Sequence, residues 1–265
     1  MQVDVCLFLL SGFVVCTKAR SALSNGGNIS VIDDSLKNEK PTCDQCSKLS
    51  GTVKHYDKHV IFCDCSSTSW PRCIDDDDSG LVHKLSNRLE KLSGLSLKMK
   101  IKITACKYNP GEEARYNKLN EAMSSFIVYP DAQLVSFNPD DENMDLFCRY
   151  LLSADSSQFG SLLLQPLHWM HLILVCVHKE RDKRCGRAGP QVIEIMQKYL
   201  VEKSISEVQV MPSSHIGGHE FAGTLIAYPS AKWYGQVTRM NAAAVLDGIL
   251  QERALSTCLR GAPIW

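Results

Sequence analysis

Residues 126–137 read F-I-V-Y-P-D-A-Q-L-V-S-F, and residues 225–236 read L-I-A-Y-P-S-A-K-W-Y-G-Q. Tyr129-Pro130-x-Ala132 and Tyr228-Pro229-x-Ala231 align at an offset of 99. Each stretch is an apolar strand, a proline-containing turn and a second strand, the pattern of a hairpin. A helical pattern follows both: M-D-L-F-C-R-Y-L-L within Asp140 to Leu152, and A-A-A-V-L-D-G-I-L within Asn241 to Leu250. A repeat of this period governs the whole fold, so it is traced first.

Upstream the correspondence continues. Residues 59–63 (H-V-I-F-C) and 171–176 (H-L-I-L-V-C) are short apolar strands ending at a cysteine. Each leads to a helix. Leu81, Val82, Leu85, Leu89 and Leu92 fall at helical spacing before Gly94, as do Val192, Ile193, Met196 and Leu200. Another strand follows in each half, at 97–105 and 207–211. Both halves therefore spell strand–helix–strand–hairpin–helix. A parallel pair joined by a crossover, with an antiparallel hairpin added, is the thioredoxin-like layout. The expected fold is α/β: two thioredoxin-like units, each a mixed sheet with flanking helices. The units are placed at 43–155 and 165–265, after a flexible or targeting segment at 1–42.

Length and composition agree. The 265 residues hold two units of about 100–130 residues, each able to bury a core. Hydrophobic residues make up 45% and charged residues 22%, which excludes wholesale disorder. Twenty-nine basic side chains balance 29 acidic ones, so nothing favours nucleic acid or an anionic membrane as partner. The apolar run at 5–15 is too short to span a bilayer, and no transmembrane segment is expected. Asp4 in place of a basic start weakens a secretory reading. A cytoplasmic location is expected, with a mitochondrial or other organellar one as the alternative. The abnormal count is twelve cysteines, which in a chain of this length point to metal or redox chemistry.

The chemistry gathers in the second half. C-V-H-K-E-R-D-K-R-C-G (176–186) directly follows a strand, at the end of an α/β unit where ligands bind. Arg181, Lys183, Arg184 and Arg187 crowd this loop and favour thiolates at Cys176 and Cys185. P-S-S-H-I-G-G-H-E-F-A-G (212–223) brings His215 and His219, with Gly217 and Gly218 opposing a helix between them. In the first half, at the hairpin offset, Tyr116 and Asn120 stand where these histidines stand. Only the second half can build the site. Two thiolates and two imidazoles suit tetrahedral zinc, although the nine-residue step between the cysteines is not zinc-finger spacing. A [2Fe–2S] cluster is the other home for this donor set. The Rieske pattern fails for want of a histidine three residues after Cys185, and His178 stands in reserve.

At these residues the chain resembles the sucrase/ferredoxin-like family, thioredoxin-like ferredoxins with a bis-histidinyl [2Fe–2S] cluster. The family's C-x-H-G-x-R-D-x-R-C-G appears here with Lys179 where glycine is frequent. Its S-H-x-G-G-H-x-F-A appears as Ser214 to Ala222. W-Y-G-Q-V-T (233–238), L-R-G (259–261) and G-T-V-K-H-Y-D-K-H-V-I (51–61), followed by Trp70, are similar to other landmarks, so the likeness covers about 43–265.

The resemblance implies that Cys176 and Cys185 hold one iron and His215 and His219 the other. Neutral imidazoles in place of thiolates raise the potential, from about −400 mV in plant-type ferredoxins toward the Rieske window of about −150 to +300 mV. An exposed imidazole also couples proton to electron transfer. The implied partners are a reductase or oxygenase-type redox protein and iron–sulfur assembly machinery; Trp265 is read either as a terminal signal for that machinery, with Ile264 where an acidic residue or serine is usual, or as an aromatic docked on the core. No catalytic residue is assigned.

Cys43, Cys46, Cys63 and Cys65 are read as a structural zinc site, a dithiol or inert thiols. The acidic run Asp75–Asp78 is read as favouring the following helix dipole. The competing function is a thiol oxidoreductase or zinc-stabilised interaction module on the same fold.

Overall fold

A computed structural model describes residues 49–64, 70–75, 80–93, 99–108, 123–153 and 160–263. All lie in one compact unit, Cys43–Trp265. The expectations for residues 1–42 and for Cys43, Cys46, Cys65, Tyr116, Asn120 and Trp265 lie outside the described residues.

The first half runs β1 (Lys58–Cys63), α1 (Leu81–Ser93), β2 (Ile101–Cys106), β3 (Ser124–Tyr129), β4 (Gln133–Phe137), α2 (Asp141–Leu152) and β5 (Leu163–Pro166). The second repeats it with β6 (His171–Cys176), α3 (Lys183–Glu202), β7 (Val208–Ser213), β8 (Leu225–Tyr228), β9 (Lys232–Tyr234), α4 (Ala242–Leu250) and β10 (Leu259–Gly261). The crossover pairs β1–β2 and β6–β7 are parallel, and both hairpins are antiparallel. The hairpins also share backbone detail: both Tyr–Pro bonds are cis, and Ala132 and Ala231 have φ of 52° and 48°.

Two strands were not expected, and they occupy equivalent places. β5 pairs with β4 and β10 with β9, each adding an outer strand to its hairpin. Leu-Leu-Gln-Pro and Leu-Arg-Gly are too short and too polar to show alternation, as befits edge strands. β5 straddles the expected start of the second unit at residue 165, yet by pairing with β4 it completes the first half.

The two halves do not form separate sheets. β2 and β7 pair antiparallel where Cys106 faces Ser213, giving one ten-stranded sheet in the order β10-β9-β8-β6-β7-β2-β1-β3-β4-β5. Among the described residues the architecture is thus a single mixed α/β sheet with four helices, in place of two independent units.

Strand alternation explains why the halves stay together. In the first half, Val60, Phe126 and Val128 pack with Leu85, Phe147 and Leu151 of α1 and α2. In the second, Ile173, Val175, Leu225 and Ala227 pack with Val192, Met196, Val245 and Leu246 of α3 and α4. The opposite faces of these strands meet each other. Ile61, Cys63, Ile127 and Tyr129 share a buried cluster with Leu172, Leu174, Ile226 and Tyr228. Successive side chains point to opposite faces of a strand, so an all-apolar strand needs cover on both. Helices supply one cover and the other half supplies the second.

A buried polar chain crosses this contact. His59, fully buried, is hydrogen-bonded through Nδ1 to the Tyr228 hydroxyl and through Nε2 to Thr104 Oγ1 at 2.8 Å. The Tyr228 hydroxyl lies 3.3 Å from that of Tyr56, which accepts from Trp233 Nε1 at 3.1 Å. The repeat-related Tyr129 and Tyr228 stack with ring centroids 3.9 Å apart. Among the described residues no helix is long and apolar enough to cross a membrane.

Replacing Tyr228 by Phe strips His59 Nδ1 of its partner and should lower unfolding free energy by about 1–3 kcal/mol, read from urea midpoints at constant slope. Burial holds the His59 pKa well below 6.5, so the unfolded chain takes up a proton that the folded chain refuses. The stability this gives is complete above pH 6.5 and falls as pH drops below that value, by at most about 1.4 kcal/mol per pH unit. His59→Gln should flatten the acid limb of a pH–stability curve.

Candidate metal centre

The site lies where β6 and β7 end. Cys176 is the last residue of β6, and its N–H donates to Thr224 O at 3.0 Å. The chain then turns, with Asp182 N–H donating to His178 O at 3.0 Å. The Asp182 side chain caps α3 by accepting from Arg184 N–H at 2.8 Å, which sets Cys185 in the first turn. Two glycines allow this close seat. A Cβ on Gly189 would lie 2.2 Å from Cys176 O, and one on Gly186 would lie 2.5 Å from Lys179 Cβ.

The histidine loop is fastened from the first half of the chain. Ser214 N–H donates to Ala105 O at 2.8 Å, and Ala105 N–H returns a bond to Ser214 Oγ at 2.9 Å. Gly217 and Gly218, with φ of 104° and 71°, swing the backbone into a single 3-10 turn at His219–Phe221. Lys102 Nζ holds Ile216 O at 2.9 Å. Arg260, only 3% exposed, donates from Nη1 to Gly217 O at 3.1 Å and from Nε to Thr52 Oγ1 at 3.0 Å. Its guanidinium fills the space where a Gly218 side chain would stand, 2.3 Å from the Cβ position.

These fastenings bring Cys176, Cys185 and His215 together, their donor atoms all within 4.8 Å of one another. Both cysteines are fully buried. The Cys185 thiol donates a hydrogen bond to Cys176 Sγ, and with hydrogen bonds from His215 and from the backbone N–H groups of His178 and Ile216 it holds the Cys176 pKa well below the ordinary thiol range. Cys185 is pushed up by the same bond and by burial. His215 Nδ1 is buried without a hydrogen-bond partner among the described residues. His219 is exposed, its ring centroid 5.5 Å from that of His215.

Other residues singled out in the sequence have different employment. His178 is not a spare ligand: Nδ1 accepts from His215 N–H at 3.1 Å, and Nε2–H donates to Pro71 O at 2.9 Å. Both nitrogens are spent on structure. Arg184 forms a two-point pair with Asp182, and Arg181 Nη1 lies 2.8 Å from Cys73 Sγ. Cys63 sits opposite Cys106 in the β1–β2 register, and that thiol contact with burial pushes its pKa well up, the behaviour of an unreactive thiol. Sequence reasoning missed Lys102 and Thr52. Lys102 reads as the polar member of an alternating strand, and no local signal marks it.

Residues 49–261 match the sucrase/ferredoxin-like family. The chain belongs to that family. Among its relatives is "Altered inheritance of mitochondria protein 32" of Debaryomyces hansenii, 42% identical over 156 residues, covering 49% of this chain and 56% of the relative. The protein of the same name from Saccharomyces cerevisiae is 32% identical over 273 residues, covering 87% and 85%. The chain spans about half the length of the Debaryomyces relative, and 34% of one from Eremothecium gossypii. A thioredoxin-like [2Fe–2S] ferredoxin from Aquifex aeolicus, 14% identical, overlays 34% of this chain and 90% of its own with a TM-score of 0.31.

Alanine inside a helix normally stabilises relative to glycine by about 1 kcal/mol. Gly189→Ala should do the opposite here, costing about 1–3 kcal/mol as its methyl meets Cys176 O. Urea unfolding decides the sign, and a stabilised variant would unseat α3 from the end of β6.

Proposed function

We propose that this protein is an electron carrier holding one [2Fe–2S] cluster through Cys176, Cys185, His215 and His219. The observation that carries this reading is the convergence of two buried cysteines and His215 within 4.8 Å, with the buried Nδ1 of His215 lacking a hydrogen-bond partner among the described residues. Two thiolates and two imidazoles are the donors of a mixed-ligand cluster. Such a cluster supplies one-electron transfer. The protein's part is to hold the sulfurs in an enclosed pocket, aim the His178 and Ile216 N–H groups at Cys176, and leave one imidazole in water. N–H donors to a ligand sulfur stabilise the reduced state and raise the potential.

Exposed His219 marks the side where electrons enter and leave and where a reductase or oxygenase-type partner docks. Its contact with solvent lets a proton follow the electron. The relatives' name directs the search for that partner to mitochondria as well as the cytoplasm.

A second reading rests on one specific distance. Three donors within 4.8 Å are close to what a single zinc ion spans, with Zn–S of about 2.3 Å and Zn–N of about 2.0–2.1 Å. Anaerobic purification of the full chain, with iron, sulfide and zinc assays, visible absorption and EPR, separates the two. A red-brown protein with about two iron and two sulfide per chain is expected. Cys176→Ser should lose most of its iron. His219→Cys should keep it, with a shifted spectrum and a lower potential. One zinc without sulfide would establish the second reading. A colourless protein that takes up no metal on reconstitution would overturn both.

A further inference from the structure

Beside the His215–His219 edge opens a cavity of about 450 Å³. Lys54, Lys100, Lys102 and Arg260 line it together with His55, His215 and His219, and among the described residues no carboxylate does. Two described acids in neighbouring stretches of chain are engaged or outside. Asp57 accepts from Lys100 N–H at 2.6 Å and pairs with His55 at 3.0 Å, while Glu220 is exposed and acts on Arg260 only through its charge.

Lys102 and Arg260 are the unusual pair. Among the described residues their hydrogen bonds go only to neutral oxygens: Ile216 O for the lysine, Gly217 O and Thr52 Oγ1 for the arginine. An ammonium has three N–H donors and a guanidinium five, so two on Lys102 and three on Arg260 remain for another acceptor. Both cations also lie against Trp233, with Lys102 Nζ 5.1 Å and Arg260 Cζ 5.4 Å from its ring centroid. A buried guanidinium beside a half-buried ammonium, with no carboxylate bonded to either among the described residues, is costly to hold. Burial and the Arg260 charge draw the Lys102 pKa down to about 8, against the opposing charge of Cys176.

We propose that this cavity is a binding site for a small-molecule anion bearing carboxylate or phosphate groups, held by Lys102 and Arg260 over Trp233. A protein side chain is a poorer fit, because the cationic pair lies at the inner wall while Lys54 and Lys100 stand exposed at the mouth. The volume falls in the range of about 300–1,000 Å³ usual for small-molecule sites. Binding requires only these residues, whatever the cysteines hold, so it is measured separately from metal content.

The test is calorimetric titration of the purified full chain with inorganic phosphate and with citrate, at constant ionic strength set by chloride. Saturable binding of at least one anion at one site per chain is expected. The preferred probe tells which oxyanion geometry the cavity suits. Lys102→Met keeps the stem and removes the charge, and should weaken binding by about tenfold or more. Lys54→Ala with Lys100→Ala alters only exposed side chains and should weaken it several-fold, which keeps the test decisive if Lys102→Met misfolds. Absence of saturable heat for both anions, or equal affinity in all folded variants, would overturn the site.

Discussion

The structure depends on the contact between the inner faces of its two half-sheets. Strands such as Leu172–Cys176 and Phe126–Tyr129 are buried along their whole length, so each needs an apolar neighbour on both sides. Helices cover one side only. Once the inner faces close on each other, His59 and Tyr228 are carried into the interior with no water to serve them, and their mutual bond becomes obligatory. The stacked Tyr129 and Tyr228 show how directly the repeat is used, since equivalent residues of the two halves are each other's packing partners.

Much of this was legible in the residues. The Tyr-Pro hairpins, the strands ending in Cys63 and Cys176, and the four helices follow from periodicity, because burial on a regular element leaves a regular trace. The cysteine and histidine loops announced themselves by glycine and by donor chemistry, and Cys176, Cys185 and His215 do come together. What could not be read was everything that depends on the other half. The junction of β2 with β7 has one register pair, Cys106 with Ser213, flanked by bonds from Ser214 to Ala105 and from Lys107 to Pro212, and none of these residues carries any mark of it. The same is true of His178. Its place in C-x-H suggested a ligand, whereas Trp70 and Pro71, more than a hundred residues away, give its ring a structural task.

The site follows the same logic at smaller scale. Its donors come from the second half, but their positions are set by bonds to the first: Ser214 on Ala105, Lys102 on Ile216, Thr52 on Arg260. The first half contributes no donor to the Cys176, Cys185 and His215 group, yet it has a definite use as the wall against which the histidine loop is moulded. The same wall supplies three of the cations around the adjacent cavity.

Arg260 spans 43 residues of chain to reach Gly217 and 208 to reach Thr52. A growing polypeptide emerges in order, so both cysteines and both histidines leave the ribosome before the side chain that brackets the imidazole loop. Until β10 arrives, that loop has its glycines and none of the restraint that Arg260 imposes on them. A chain caught before β10 is made would carry Cys176, Cys185 and His215 with that restraint missing. The finished loop is therefore a late product of synthesis, and β10 acts as its timing device.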